Sequence, residues 1–225
     1  MKIVRVLSTK KLLLNQKKLL LNDNLAVIER DFIKIKTKKV VIKKVADALI
    51  FTSQNAVLAV LNSEDINFFK SKKIFCVGIK TKTLLEKKGF IVEKHTNYAE
   101  ELAEIISLNY HHLSYTFFSG NLRRDVLPKK LKEFGIAFNE IEVYKTVIAS
   151  KLNNITVDSI LFYSPSGVES YLKKNKITNE VCFCIGNTTA KALENITKKI
   201  VIADQPSVEN VIIKCLNYYK TPNRF

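Results

Sequence analysis

The chain repeats itself, and the repeat limits the folds open to it. The segment Leu49-Ile50-Phe51-Thr52-Ser53-Gln54-Asn55-Ala56-Val57 matches Ile160-Leu161-Phe162-Tyr163-Ser164-Pro165-Ser166-Gly167-Val168 in pattern, and Phe75 to Leu85 matches Phe183 to Leu193. The stretch after His95 pairs in the same register with the stretch after Asp204. Each copy reads as an apolar strand ending in Ser, a helix, a strand ending in Gly, a helix, a short strand and a final helix. Two similar α/β units therefore lie roughly 110 positions apart. Alternating strands and helices imply parallel sheets covered on both faces. The right-handed crossover rule then leaves a doubly wound, flavodoxin-like topology for each unit.

The chain ends suggest how the units are joined. Ile3 to Leu7 reads as a strand, Leu12 to Leu21 as a helix and Ala26 to Ile28 as a second strand. The first copy holds an extra strand-turn-helix from Thr116 through Leu131, followed by a strand from Phe138 to Val147. If the opening strand-helix-strand belongs to the second copy, both copies have equal numbers of strands. One unit is then inserted in the other. The expected domains are residues 1–33 with 147–225, and the inserted residues 37–140. The joining stretches, 31–36 and 141–148, alternate apolar and polar residues without Gly or Pro and read as two extended strands that could pair.

In open parallel sheets, ligands bind beyond the carboxyl ends of the strands, where loops lead into helices. Small polar residues fall at those places: Thr52-Ser53, Gly78 with Thr81, Ser119-Gly120-Asn121, Ser164 to Gly167, and Gly186 to Thr189. Such residues cap helices, and the free backbone N–H groups beside them make anion sites. The phosphate cradles of dinucleotide and P-loop proteins are absent, and so is a nucleophile elbow. Acidic residues such as Glu100, Glu101 and Glu104 fall on a helical surface without a recognisable acid/base pair. Donors with little titratable machinery suit a ligand with many carboxylates and a reaction governed by how that ligand is held.

A formal net charge of +16 favours polyanionic partners, among them nucleic acid, anionic membranes and multi-carboxylate small molecules. The lysines are spread in pairs such as Lys17-Lys18, Lys72-Lys73 and Lys198-Lys199, so most of the charge reads as solvated surface. No run of about 18 uncharged apolar residues and no signal-peptide pattern is visible, which predicts a soluble, cytoplasmic protein. Cys76, Cys182, Cys184 and Cys215 sit in apolar runs and read as buried thiols. Neither the Cys182-Phe183-Cys184 spacing nor the His111-His112 pair suits a metal site, so none is expected.

Five ordered blocks carry a family resemblance: Leu49 to Val57, Ser119-Gly120-Asn121-Leu122-Arg123-Arg124-Asp125-Val126-Leu127-Pro128, Ile141-Glu142-Val143-Tyr144-Lys145-Thr146, Phe162 to Val168, and Ile185-Gly186-Asn187-Thr188-Thr189-Ala190. Together they resemble the signature blocks of the uroporphyrinogen-III synthase (HemD-like) family, over nearly the whole chain from Val6 to Ser207. The resemblance implies two α/β domains joined by a two-strand linker, with the active site in the cleft between them and no metal or organic cofactor. It also implies the substrate, hydroxymethylbilane, a linear tetrapyrrole with eight carboxylates. The product is uroporphyrinogen III, on the route to porphyrins and heme, formed through an azafulvene and a spiro intermediate that inverts the last ring. Uncatalysed closure gives the uninverted isomer, so the implied role is one of positioning in a cofactor-independent hydro-lyase.

Carried over residue by residue, the resemblance makes Tyr144 the catalytic candidate, assisting departure of the hydroxyl. It assigns substrate contacts to Thr52, Ser53, Ser164, Ser166, Gly167, Thr188 and Thr189 and to Arg124, with Arg123 a second basic candidate; Thr9, Gly78, Gly120 and Asn121, at strand ends, complete the expected substrate-binding set. Where many members have Thr-Arg after the first strand, this chain has Thr9-Lys10, and a Lys meets a carboxylate without the bidentate fork. The expected partner is this small molecule alone, without nucleic acid or membrane, bound by a monomer. Three other readings stay open. A two-lobed binding protein for a polyanion should carry a signal peptide, a nucleic-acid binder should carry a basic stripe interleaved with exposed aromatics, and a degenerate homologue keeps the fold without the activity.

Overall fold

The computed structural model describes residues 3–20, 25–39 and 45–220. In chain order these form β1 (Val4–Ser8), α1 (Leu14–Lys18), β2 (Leu25–Glu29), β3 (Ile33–Thr37), β4 (Ala48–Phe51), α2 (Gln54–Val60), α3 (Ile66–Lys70), β5 (Lys73–Val77) and α4 (Ile79–Lys87). There follow β6 (Val92–Thr96), α5 (Ala99–Asn109), β7 (Tyr115–Gly120), α6 (Val126–Glu133) and β8 (Phe138–Ile148). The chain ends with β9 (Ser159–Phe162), α7 (Pro165–Leu172), β10 (Val181–Cys184), α8 (Asn187–Lys191), β11 (Ile200–Ile202) and α9 (Val208–Lys220). The chain divides into two compact units, one made of Met1–Lys34 with Val147–Phe225 and the other of Ile35–Thr146.

The sheet orders explain why the sequence repeats. The first unit's sheet runs β11-β10-β9-β1-β2, and the second sheet runs β3-β8-β7-β4-β5-β6. Strands β1, β2, β9, β10 and β11 pair in parallel, as do β4 to β8. Setting β9, β10 and β11 against β4, β5 and β6, and β1 and β2 against β7 and β8, makes the two orders identical except for β3, which adds a sixth strand beside β8. The chain enters the two copies at different points of one pattern. The first is the flavodoxin-like order expected of a doubly wound sheet.

Parallel sheets need helices on both faces, so their central strands are buried all round. All four residues of β4 and all four of β9 are buried. In the second unit Leu49, Phe51, Ile74, Cys76 and Phe118 face α2 and α4, while Ala48, Ile50, Phe75, Tyr115 and Phe117 face α5 and α6. In the first unit Leu7, Ile160, Phe162, Cys182 and Cys184 face α7 and α8, while Val6, Leu161 and Phe183 face α9 and the residues Leu12 and Leu20 that flank α1. Each such Phe or Leu contributes roughly 1.5–3 kcal/mol over its exposed state.

Three elements differ from the sequence reading. The first helix is confined to Leu14–Lys18 rather than reaching from Leu12. Its approach is held extended because the Lys11 N–H donates to Asp31 Oδ1 at 2.8 Å and the Leu12 N–H to Glu29 Oε1. Leu21, the expected last residue of that helix, lies outside the described residues. An unforeseen helix, α3, follows the Ser63 turn, where the Ser63 hydroxyl accepts from the Asp65 N–H. The stretch 141–148, expected as a linker, continues β8, and its Ile141, Glu142 and Tyr144 pair with β7.

All four cysteines are buried and reduced, and burial pushes each thiol up to about 12. The thiolate is the reactive form, so these residues should be inert in the folded chain. Ellman's reagent is expected to find less than about one thiol in the native protein and all four after unfolding in guanidinium.

Candidate functional site

Within the second unit, a cavity of about 390 Å³ opens at the carboxyl ends of the strands. It is lined by Thr52 and Ser53 after β4, Asn97 to Glu100 where α5 begins, Gly120 and Leu122 to Arg124 leading into α6, and Tyr144 on β8. The position follows from topology. Helix α2 leaves β4 toward one face, α6 leaves β7 toward the other, and β4 and β7 are neighbours. Where adjacent connections part in this way, a crevice forms.

Tyr144 is the central group of this cavity. Its hydroxyl donates to Ser53 Oγ at 3.1 Å, and Ser53 Oγ also accepts from the Asn55 N–H at the start of α2. The ring packs closely against Gly120. A Cβ at residue 120 would sit 2.7 Å from Tyr144 Oη and closer still to ring carbons Cζ and Cε2. Glycine is required there by this close approach rather than by backbone torsion. The register of β7 against β8 shifts at this point: Ser119 faces Glu142 but Gly120 faces Tyr144, a bulge that re-aims the side chain.

The cavity's cations are partly committed. Arg123 makes a fork to Glu140, with Nη2 to Oε2 at 2.8 Å and a second bond from Nε to Oε1, and also meets Asp125. The hydrogen bond to Glu140 pushes the Arg123 guanidinium above its ordinary value, so it stays charged. Burial of Glu140 opposes ionisation, but hydrogen bonds from Arg123 and Ser119 outweigh it and hold the carboxyl below its ordinary range. Arg124, exposed, lines the same cavity. Helix α5 begins at Tyr98 without a side-chain cap, so its first N–H groups carry the positive end of the helix dipole at the cavity wall.

The first unit has its own carboxyl edge, at the β9–β1 switch. Ser164 caps α7 by accepting from the Gly167 N–H at 3.1 Å, and Ser166 Oγ lies 3.0 Å from Ser164 Oγ. Thr9 is turned inward: it is buried and its hydroxyl donates to the Leu161 carbonyl at 2.7 Å. Thr188 is exposed, whereas Thr189 is buried with no hydrogen-bond partner for Oγ1 among the described residues. Gly186 N-caps α8. Beside them Tyr163 hydrogen-bonds Ser8 Oγ at 3.1 Å, and burial pushes its phenol above the ordinary value.

Of the residues picked from sequence, Thr52, Ser53, Gly120, Arg123, Arg124 and Tyr144 come together around one cavity. Asn121 adjoins it with its side chain on the Thr146 backbone. Gly78 is not among the lining residues. Its φ of +88° and its N–H bond to the Thr96 carbonyl suit a helix start. Sequence reasoning missed Asn97, Tyr98 and Glu140. The uncapped start of α5 was the available signal for the first two, while only the fork to Arg123 reveals Glu140. Among the described residues no three His, Cys, Asp or Glu side chains gather as a metal would require, and no helix is long and apolar enough to cross a membrane.

The arrangement defines a doubly wound α/β protein of two units, with hydroxyl and backbone donors at the carboxyl edges of both sheets. The chain belongs to the family described as uroporphyrinogen-III synthase HemD, whose family model matches residues 17–213. It is 25% identical over 201 residues to the uroporphyrinogen-III synthase of Saccharomyces cerevisiae, covering 73% of each protein. Its fold resembles uroporphyrinogen-III synthetase from Helicobacter pylori, with TM-score 0.75, 19% identity and 96% and 99% of the two chains covered. A selenomethionine variant of uroporphyrinogen III synthase from Thermus thermophilus aligns with TM-score 0.65 and 14% identity over 96% and 98%.

Replacing Gly120 by Ala should destabilise the chain by roughly 1–3 kcal/mol, the usual cost of forcing atoms into a packed site. The three heavy atoms nearest to the added methyl all belong to Tyr144. In urea unfolding the loss should largely disappear when Gly120→Ala is combined with Tyr144→Ala, because the clash needs both partners.

Proposed function

We propose that the chain cyclises hydroxymethylbilane to uroporphyrinogen III as a cofactor-independent hydro-lyase, with Tyr144 as the group that assists departure of the terminal hydroxyl. The observation that carries this reading is the phenol of Tyr144, held on Ser53 in a donor-lined cavity of a chain belonging to this family. The substrate's pyrrole nitrogen pushes electrons toward the hydroxymethyl carbon, the C–O bond breaks, and the hydroxyl leaves as water, gaining one proton as the pyrrole N–H loses one. A hydrogen bond from Tyr144 strengthens as charge develops on that oxygen, so it stabilises the transition state more than the bound substrate. The azafulvene is then attacked by the substituted carbon of the last pyrrole, and the spiro intermediate rearranges with that ring turned over.

The remaining residues hold rather than react. Thr52, Ser53, the first N–H groups of α5 and Arg124 are assigned to carboxylates in the second unit, and Ser164, Ser166, Gly167, Thr188 and Thr189 to carboxylates in the first. Thr9 supports that edge from beneath through its bond to Leu161 rather than by touching ligand. Fixing the chain so that one carbon reacts first is worth more than any proton transfer, since correct placement can supply several powers of ten in rate. The protein is assigned to tetrapyrrole biosynthesis, acting in the cytoplasm on a small molecule.

Incubating the protein with freshly generated hydroxymethylbilane and separating the product isomers tests the reaction itself. Uroporphyrinogen III is expected above the uninverted isomer that forms without enzyme, and the uninverted isomer alone would defeat the assignment. Tyr144→Phe should lower turnover by about 10²-fold, the low end for general-acid assistance, while leaving KM and melting temperature close to wild type. Added salt should raise KM, because exposed charges that draw in a polycarboxylate are screened over about 8 Å near physiological ionic strength. A KM unmoved by salt would remove the +16 charge from substrate capture.

A further inference from the structure

Asn121 stands at the end of β7, exposed, one residue beyond the glycine on which the Tyr144 ring rests. Its side-chain amide is committed to β8. Oδ1 accepts from the Thr146 N–H at 2.7 Å and Nδ2 donates to the Thr146 carbonyl at 3.3 Å, while the Asn121 backbone N–H donates to the Tyr144 carbonyl at 3.3 Å. The amide thus offers Thr146 the donor and acceptor that a neighbouring strand would offer, two residues past the phenol.

That clip matters because the ladder beside it is broken. Up to Ser119 and Glu142 the strands pair residue by residue, and one step later Gly120 faces Tyr144, leaving Val143 extra. In the unbroken register Gly120 would face Val143. A one-residue slip moves a strand's side chains to the opposite face, which would carry Tyr144 off Gly120 and its hydroxyl off Ser53. A bulge needs something on each side to hold it. Before it, the fork from Arg123 grips Glu140, which pairs with Phe117. After it, the Asn121 amide grips Thr146. Both clamps come from the short loop that follows β7.

We propose that Asn121 is a positioning residue: its amide locks the β7–β8 bulge and thereby holds the Tyr144 phenol over Gly120 and against Ser53. The consequence for catalysis rests on the reading of Tyr144 given above. An exposed amide that contacts backbone alone can be removed without opening the core. Asn121→Ala should therefore fold, lower kcat about ten-fold and leave KM nearly unchanged, in keeping with the sensitivity of enzyme rates to small misplacements. Asn121→Asp keeps the acceptor for the Thr146 N–H and should recover part of the loss. If Asn121 acts through the phenol, adding Asn121→Ala to Tyr144→Phe should lower kcat by less than about two-fold further.

The direct readout is the Tyr144 ring resonance in protein labelled with ring-13C tyrosine, identified by its absence in Tyr144→Phe. In Asn121→Ala it should shift or broaden while the resonances of the buried Tyr115 and Tyr171 stay in place. An unmoved Tyr144 resonance with wild-type kcat overturns the proposal, and so does a loss of kcat as large in the Tyr144→Phe background as in wild type. Full turnover by Tyr144→Phe would instead overturn the chemical role of the phenol, and the resonance would still decide whether Asn121 positions the ring.

Discussion

The pairing of β4 with β7 decides where the second unit opens a crevice. Both strands are buried along their length, because helices cover each face of a parallel sheet. The chain leaves β4 for α2 on one face and β7 for α6 on the other. No helix can then cover the carboxyl ends of both, and the backbone groups there must turn to loops, caps or ligand. The pairing of β9 with β1 has the same consequence in the first unit. Two copies of one topology thus produce two donor-lined edges, and the donors are hydroxyls and N–H groups because those are what helix starts require in any case.

Tyr144 differs from the other site residues in its support. Ser53 and Ser164 sit at helix caps, where a hydroxyl serves the backbone and has capacity left for a ligand. Tyr144 projects from a strand, and its direction is set by register. A loop can tolerate shifts of a few tenths of an ångström, but a strand admits only discrete registers. The combination of a bulge with a glycine that admits the ring therefore gives one defined place for the phenol. Reactions steered by geometry favour such support, since groups on rigid elements are held more closely than groups on loops.

The sequence made the layered architecture legible because its signals were strong and local. Continuous apolar runs such as Leu49 to Phe51, Ser and Gly at strand ends, and a repeat in register left few arrangements of parallel sheet. The crossover rule then left a doubly wound topology, and the strand count placed one unit inside the other. What escaped was whatever depends on side chains meeting across the sheet. Nothing in Thr9 tells that its hydroxyl turns to the Leu161 carbonyl, since outward and inward threonines read alike at a strand end. Turn asparagines and binding asparagines share one composition, so the paired bonds of Asn121 to Thr146 are visible only in the structure. The bulge at Gly120 left no trace, because a shifted register changes partners without changing residues. The approach to α1 also departed from its apolar spacing, where Asp31 and Glu29 outcompeted the helix for the Lys11 and Leu12 N–H groups.

The distribution of charge fits the proposed positioning role. The sequence carries +16 overall, yet Arg123 in the cavity is matched by Glu140 and Asp125, and the lining sets neutral donors such as Thr52, Ser53 and Asn97 among apolar residues and Glu100. Long-range attraction and close recognition are thereby assigned to different groups. Diffuse lysines raise the local concentration of a polyanion, whereas hydroxyls and N–H groups fix its orientation. On the proposed reaction, substrate and product carry the same carboxylates, so gripping those groups more tightly would stabilise both and add nothing to the chemical step. The two molecules differ in the departing hydroxyl and in the turned ring. Selective stabilisation must therefore be concentrated where those changes occur, and in this unit the group held with that degree of definition is the phenol over Gly120.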